Sequence, residues 1–114
     1  MPLLKISTNK PFDASTQQAF LKDASQKVAE TLQKSEKYVM TLFEPTVPMT
    51  FGGTDEPTAY LEIKSIGLTT QQVNLLTKEI ADLAHAKLGI NPERIYIEFA
   101  DAPANRWGWN RTTF

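Results

Sequence analysis

The sequence predicts an α+β fold of two α/β layers, in which tandem β-α-β repeats build a four-stranded mixed sheet with two helices on one face. The order strand, helix, strand occurs twice along the 114 residues, at about 2–56 and 57–114. Each pair of strands is joined by a long helical segment, and such crossovers favour parallel pairing within a unit. A chain of this length buries one ordinary core, so we expect a single domain made of two pseudo-repeats.

The first repeat opens with LLKIST, whose alternation points Leu4 and Ile6 to one face and polar side chains to the other. The segment DASTQQAFLKDASQKVAETLQK follows, and it predicts a helix with Asp13 or Ser15 as N-cap. Its apolar side chains recur at helical spacing: Phe20, Ala24, Val28 and Leu32. KYVMTLFE then predicts a second strand that is apolar on both faces.

The second repeat follows the same order. TAYLEIKSI alternates as a strand, and TTQQVNLLTKEIADLAHAKLG predicts a helix with a capping box at Thr69 and Gln72 and a stop at Gly89. The apolar stripe of this helix comprises Val73, Leu76, Ile80 and Leu83. RIYIEFA predicts the last strand, with Ile95, Ile97 and Phe99 on one side.

Two helices cover one face of such a sheet, and the opposite face is semi-polar. Its candidate residues are Tyr60, Glu62, Lys64, Tyr96 and Glu98. This face is either solvated or lines a channel within an oligomer, and the strand pattern favours neither.

The composition excludes several function classes. Twelve Lys and Arg nearly balance thirteen Asp and Glu, so no basic stripe indicates nucleic-acid binding. The absence of cysteine excludes disulfides, thiol nucleophiles and cysteine-ligated zinc, and the single histidine, His85, leaves little for a metal site or a Ser-His-Asp triad. No apolar run approaches the roughly 18 residues of a membrane span, and no signal peptide is evident, so we expect a cytoplasmic protein without a membrane partner.

A proline stands second in the chain, at the start of the first predicted strand. Because proline cannot donate to a strand ladder, sheets confine it to edges, bulges and the first residue of a strand. An inert start residue would therefore explain a proline at this position. Alternatively, removal of Met1 turns Pro2 into a free secondary amine. Burial in an apolar pocket and a nearby lysine would lower the pKa of that amine, and a base whose pKa lies near the working pH transfers protons efficiently.

Five motifs in register favour the second interpretation. Together with Met-Pro, the segments FGGTDEP, SIG at 65–67, NPERIYIEF and GWNRTTF resemble the macrophage migration inhibitory factor family of the tautomerase superfamily. The resemblance implies a homotrimer with three active sites at subunit interfaces. It implies keto–enol tautomerisation of α-keto acids such as phenylpyruvate, and of dopachrome-like compounds, with no metal or organic cofactor.

The resemblance also implies roles for individual residues. Pro2 matches the catalytic base, while Lys34 and the backbone N–H of Ile66 match the groups that hold the substrate carboxylate. The aromatic residues expected around the substrate are Tyr38, Trp109 and Phe114, with Tyr96 contributed by a neighbouring subunit. On local sequence alone Lys34 would only complement a helix dipole, Tyr96 would be an ordinary strand residue, and Trp107 is interpreted as a core or interface anchor.

The chain departs from the family pattern at several positions. Glu98 replaces an asparagine that meets the substrate's phenolic hydroxyl, and an ionised carboxylate repels anionic rings, which affects substrate preference. TAYL replaces the CxxC segment of the vertebrate cytokine, so thiol–disulfide activity is not expected. Phe12 and Thr46 replace the charged pair of its receptor motif, which makes receptor binding of that kind doubtful.

Two alternative functions follow from the resemblance. One is a secreted, cytokine-like or host-modulating protein with a vestigial tautomerase site, exported without a signal peptide. The other is a superfamily relative with dehalogenase or hydratase chemistry, for which Glu98 is the one novelty.

Overall fold

The computed structural model of the chain describes residues 1–44 and 46–114. The helices and strands are β1 (Leu3–Thr8), α1 (Ala14–Leu32), β2 (Met40–Glu44), β3 (Ala59–Ser65), α2 (Thr70–Leu88), β4 (Ile95–Asp101), β5 (Gly108–Trp109) and β6 (Thr112–Thr113). Short 3₁₀ turns precede three of the strands, at Glu36–Tyr38, Pro92–Arg94 and Ala104–Arg106. The predicted order of strand, helix and strand, repeated twice, is confirmed.

The main sheet is mixed, with the strand order β2-β1-β3-β4. β1 pairs in parallel with β2, and β3 pairs in parallel with β4, as expected for helical crossovers within each repeat. The repeats are joined by the antiparallel pairing of β1 with β3, in which Leu4 lies opposite Ile63. Both side chains are completely buried, so this register directs the apolar faces of the two central strands towards the same core.

Both helices begin at side-chain caps that the sequence predicted. The Asp13 carboxylate accepts a hydrogen bond from the Thr16 N–H at 2.8 Å, which makes Asp13 rather than Ser15 the N-cap of α1. At α2, Thr69 and Gln72 form the expected capping box. These bonds satisfy N–H groups that have no partner within the helix.

The core lies between the two helices and one face of the sheet. Phe20 of α1 is its largest fully buried side chain. The other completely or nearly completely buried apolar residues include Leu4, Ile6, Ala24, Val28, Leu32, Leu61, Ile63, Leu76, Ile80, Ala84, Leu88 and Ile90. Ile95, Ile97 and Phe99 pack against this cluster from β4, as their alternation predicted.

Two features differ from the sequence-based expectation. The second strand begins at Met40 rather than at Lys37, because Glu36–Tyr38 forms a 3₁₀ turn. The C-terminal residues form an unpredicted antiparallel hairpin of β5 and β6, whose two turn residues, Asn110 and Arg111, both have positive φ. Such two-residue turns favour glycine, so Asn-Arg is a weak hairpin signal in the sequence.

Candidate active site

A pocket of about 340 Å³ opens at the start of β1. It is bounded by the chain terminus, by the segment that leads into β2 and by the C-terminal hairpin. The lining residues are Met1, Pro2, Leu3, Lys37, Tyr38, Val39, Met40, Trp107, Gly108, Trp109 and Phe114. The fold therefore brings together three segments that are far apart in the sequence, and most of the side chains that they contribute are apolar.

Pro2 is buried and lines this pocket. Its carbonyl accepts a hydrogen bond from the Met40 N–H at 3.0 Å, which ties Pro2 to the first residue of β2. The Met1 amine donates to the Tyr38 carbonyl at 3.2 Å. The chain terminus is thus held against the segment that precedes β2.

The environment of the terminus disfavours a positive charge. Burial lowers the pKa of the Met1 amine below its ordinary value, and the positive charge of Lys34 lowers it further. Both effects have the same sign because each makes the protonated amine less stable.

Lys34 is positioned by the end of α1. Gln33 adopts the left-handed conformation, with a φ of 53°, and the Lys34 N–H bonds to the Ala29 carbonyl at 3.0 Å. This is a Schellman arrangement, in which the residue after the left-handed position closes the helix end. The Lys34 Nζ then donates to the Ile66 carbonyl at 3.1 Å, across the two repeats.

Ile66 lies in a turn that is itself anchored. One oxygen of the Asp101 carboxylate accepts hydrogen bonds from the Gly67 N–H at 2.8 Å and the Leu68 N–H at 3.4 Å. The sequence predicted a role for the Ile66 backbone N–H, whereas the group that contacts Lys34 in the structure is the Ile66 carbonyl. The expected neighbours, Lys34 and Ile66, are therefore brought together.

Three of the predicted aromatic residues form one cluster. Tyr38 packs edge to face against Trp109, with ring centroids 5.2 Å apart, and against Phe114 at 6.1 Å. Trp109 and Phe114 are stacked at 5.8 Å. The Phe114 N–H bonds to the Trp107 carbonyl at 3.1 Å, so the hairpin fixes this wall of the pocket.

Tyr96 and Glu98 lie outside the pocket. Both belong to β4, whose register places Tyr96 beside Tyr60 and Glu98 beside Glu62. Tyr96 is 66% exposed, and its ring contacts Phe51 at a centroid distance of 4.9 Å. Within one copy of the chain, these two residues lie on the sheet face that the helices leave uncovered.

Glu98 belongs to an acidic cluster on that face. The Tyr60 hydroxyl donates to Glu62 Oε1 at 3.2 Å. Burial raises the pKa of Tyr60, and the carboxylates of Glu62 and Glu98 raise it further, because a phenolate would be unfavourable beside them.

Sequence reasoning missed part of the pocket wall. Trp107 lines the pocket, where a core or interface anchor was predicted, and Met40 borders it although it is 63% exposed. Lys37 lies above the Tyr38 ring, with its Nζ 5.4 Å from the ring centroid. Their spacing gave no signal, because the hairpin and the 3₁₀ turn that position them were not predicted.

A second cavity, of about 630 Å³, lies beyond the other end of β1. It is lined by Asn9, Thr46, Val47, Pro48, Met49, Thr50 and Asp55. Asn9 donates to the Asp55 carbonyl at 3.0 Å and the Glu56 carbonyl at 3.2 Å, which is a loop-bracing role. Among the described residues that line this cavity, Asp55 alone is titratable. The cavity therefore has fewer groups for acid–base catalysis than the pocket at the terminus.

Two kinds of feature are absent from the described residues, 1–44 and 46–114. No three His, Asp or Glu side chains converge in a way that could hold a metal ion. Neither long helix is apolar enough over its length to cross a membrane.

Comparison with known proteins identifies the family. A family model, macrophage migration inhibitory factor, matches residues 1–114. The chain belongs to this family. It is 35% identical over 115 residues to macrophage migration inhibitory factor of Mus musculus, with 100% of this chain and 99% of that protein covered. It is 40% identical over 119 residues to a homologue from Brugia malayi, with the same coverage.

Solved structures of family members share the fold. A homologue from Prochlorococcus marinus superposes with a TM-score of 0.93 at 44% identity, covering 98% of both chains. The protein from Toxoplasma gondii gives a TM-score of 0.94 at 30% identity, covering 98% of this chain and 99% of that chain. The family resemblance and the two-layer fold expected from the sequence are thus confirmed.

Proposed function

We propose that this family member is a cofactor-independent keto–enol tautomerase acting on phenylpyruvate-like α-keto acids, with Pro2 as catalytic base after removal of Met1. One observation carries the proposal: the chain terminus lies in an apolar, aromatic-walled pocket where burial and Lys34 both lower the pKa of an amine. A keto acid needs such a base next to a cationic group that binds its carboxylate.

The proposed base depends on the removal of Met1. With Met1 attached, the Pro2 nitrogen is an amide and accepts no proton. Once Met1 is removed, that nitrogen is a secondary amine on Pro2, a buried residue that lines the pocket. The same two influences that lower the pKa of the Met1 amine would lower the pKa of this amine.

The proposed reaction moves one proton in each direction. The Pro2 nitrogen takes a proton from the carbon next to the keto group, the electron pair of that C–H bond forms the C=C bond, and the carbonyl oxygen gains a proton to give the enol. The protonated proline can supply that second proton. The reaction is therefore balanced without oxidant, reductant or co-substrate, and one positioned base is sufficient.

Lys34 and Ile66 are proposed to hold the substrate carboxylate. One N–H of the Lys34 ammonium binds the Ile66 carbonyl, so the two remaining N–H groups can bind a carboxylate beside it. The adjacent Ile66 N–H is proposed as a further donor. Tyr38, Trp109 and Phe114 would pack against the aromatic ring of the substrate.

Tyr96 and Glu98 are proposed to act across a subunit interface of a homotrimer. Neither residue lines the pocket of its own copy. Met40 and Leu42 are exposed on the edge strand β2, and Tyr96 itself is exposed on the other edge strand, β4. Exposed apolar groups on a sheet edge support an interface there. Glu98 would then face the distal end of the substrate ring and disfavour anionic substituents.

The proposal is tested by measuring phenylpyruvate tautomerisation with protein whose intact mass shows that Met1 is absent. We expect turnover in this protein and none above background in protein that retains Met1. Light scattering on both forms controls for assembly. Equal turnover in the two forms would contradict Pro2 as the base.

A further inference from the structure

Arg94 makes an unusual number of contacts to one loop. Its Nε donates to the Pro57 carbonyl at 3.0 Å and its Nη1 to the Phe51 carbonyl at 3.0 Å. Its Nη2 donates to the carbonyls of Thr54 at 3.3 Å and Glu56 at 2.9 Å. One planar guanidinium group thus binds four backbone carbonyls of residues 51–57, which a lysine ammonium cannot reproduce because it has fewer donors.

The loop has other hydrogen bonds besides those from Arg94, but they do not tie it to β4. Phe51 and Thr54 exchange two backbone hydrogen bonds around Gly52 and Gly53, both of which have positive φ. Asn9 donates to the carbonyls of Asp55 and Glu56, and it shares the Glu56 carbonyl with Arg94. The guanidinium group therefore supplies most of the bonds that tie residues 51–57 to the start of β4.

The loop in turn contacts Tyr96. The Arg94 guanidinium carbon lies 5.3 Å from the centroid of the Phe51 ring, and that ring packs against Tyr96 at 4.9 Å with an interplanar angle of 59°. Tyr96 is 66% exposed on an edge strand, so little else restrains its ring. Fixing an exposed side chain before it is needed reduces the entropy cost of the later contact.

We infer that Arg94 is a positioning residue, which holds the 51–57 loop so that the Phe51 ring fixes the orientation of Tyr96 at the sheet edge. This inference rests on the proposed function, because it has Tyr96 complete the pocket of a neighbouring copy. Arg94 itself touches no substrate, and its effect on turnover passes through Tyr96.

A double-mutant cycle tests this role. We expect Arg94→Lys to lower kcat/KM about tenfold, since small misplacements of positioning groups have effects of this order. In a Tyr96→Ala background, the same change should cost less than about twofold, because the two residues act in series. Phe51→Leu leaves the loop carbonyls in place and should reproduce the loss. An equal loss from Arg94→Lys with and without Tyr96 would overturn the inference.

A control variant separates positioning from general stability. The Asn91 side chain accepts the Glu93 N–H at 2.9 Å and caps the same 3₁₀ turn, but it makes no hydrogen bond to residues 51–57. Asn91→Ala should therefore destabilise this turn without changing kcat/KM. An Arg94→Lys protein that no longer assembles like the parent, by light scattering, would make Arg94 an assembly residue and overturn the inference.

A spectroscopic readout is independent of turnover. In protein labelled with 3-fluorotyrosine, the ¹⁹F resonance of Tyr96 is assigned by its loss in Tyr96→Phe. We expect Arg94→Lys to shift and narrow this resonance while those of Tyr38 and Tyr60 stay in place. An unchanged Tyr96 resonance would overturn the inference, whereas absence of turnover in the parent protein would contradict the proposed function alone.

Discussion

The two repeats share one topology, but only one of them places a chain terminus in a pocket. The buried Leu4 of β1 corresponds to the buried Leu61 of β3, which makes Ala59 the counterpart of Pro2. Ala59 is an internal residue whose nitrogen is an amide, whereas the Pro2 nitrogen becomes an amine when one residue is removed. The two positions are equivalent in the fold, and the proposed function assigns chemistry to Pro2 alone because only its nitrogen would become an amine.

The segments that follow the two helices diverge in the same way. Each repeat has a 3₁₀ turn before its second strand, and these turns end at Tyr38 and Arg94. Tyr38 forms part of the aromatic wall, whereas Arg94 binds the loop that precedes its own repeat. Of these two equivalent positions, Tyr38 lines the pocket of its own copy. Arg94 is proposed to position Tyr96, which would complete the pocket of a neighbouring copy.

The largest expected effect is a difference in turnover between variants of Pro2 and of its counterpart, Ala59. Pro2→Gly should lower turnover by about 100- to 10,000-fold, the range that a positioned base contributes. Ala59→Gly should leave turnover unchanged and lower the free energy of unfolding by about 0.5–1 kcal/mol, because glycine is unfavourable inside a strand. Phenylpyruvate kinetics and chemical denaturation measure the two quantities. Similar losses of turnover in both variants would break the comparison.

A second pair of variants compares two lysines that bond to backbone carbonyls. Lys34 binds the Ile66 carbonyl beside the pocket, and Lys10 binds the Leu88 carbonyl at 3.2 Å at the end of α2. Lys34→Ala should raise KM for a keto acid about tenfold to hundredfold, since hydrogen bonds to charged groups are worth about 1.5–3 kcal/mol. Lys10→Ala should lower the free energy of unfolding by about 1 kcal/mol and leave KM unchanged. A rise in KM with Lys10→Ala would count against a specific role for Lys34.

The charge of Lys34 also predicts a change in pH dependence. In the proposed mechanism the neutral form of the Pro2 amine is the base, and the positive charge of Lys34 would make the protonated form less stable. Lys34→Gln removes that charge, so the pKa of the amine should rise and the acid limb of kcat/KM should move to higher pH. Lys37→Gln, at the lysine that lines the pocket, is the comparison variant. An acid limb that stays in place in Lys34→Gln would mean that burial alone sets the pKa.

The sequence predicted correctly the parts of the fold that depend on nearby residues, namely the alternation of strands and the caps of helices. The alternation of Leu4 and Ile6 and the capping box at Thr69 gave strands and helix starts in the right places. The start of β2 and the C-terminal hairpin were missed, because their turns lack glycine and proline signals. Trp107 was assigned to a core or interface for the same reason.

In the candidate site, too, some residues were predictable from the sequence and some contacts were not. The family motifs pointed to Tyr38, Trp109 and Phe114, which line the pocket with Pro2, and to Lys34, whose charge acts on the terminal amine without lining the pocket. Motifs could not indicate that four carbonyls of the 51–57 loop share one guanidinium group, since that depends on contacts between distant segments.

The smallest expected effect compares the two helix ends. α1 ends with Gln33 at a φ of 53°, and α2 ends with Gly89 at a φ of 67°. Glycine adopts this conformation without the steric cost that a Cβ brings. Gln33→Gly should therefore stabilise the protein by about 0.5 kcal/mol, and Gly89→Gln should destabilise it by about 1 kcal/mol. Thermal unfolding measures both, and changes of the same sign would contradict the comparison.

The central claim is that the fold gives the Pro2 amine a lowered pKa. Protein free of Met1 and labelled with ¹⁵N-proline allows this amine to be titrated directly by NMR, with the pH dependence of kcat/KM measured on the same sample. We predict a pKa below that of an ordinary terminal amine, coincident with the acid limb of the rate profile. An ordinary pKa, or one that differs from the acid limb, would contradict the assignment of Pro2 as the base.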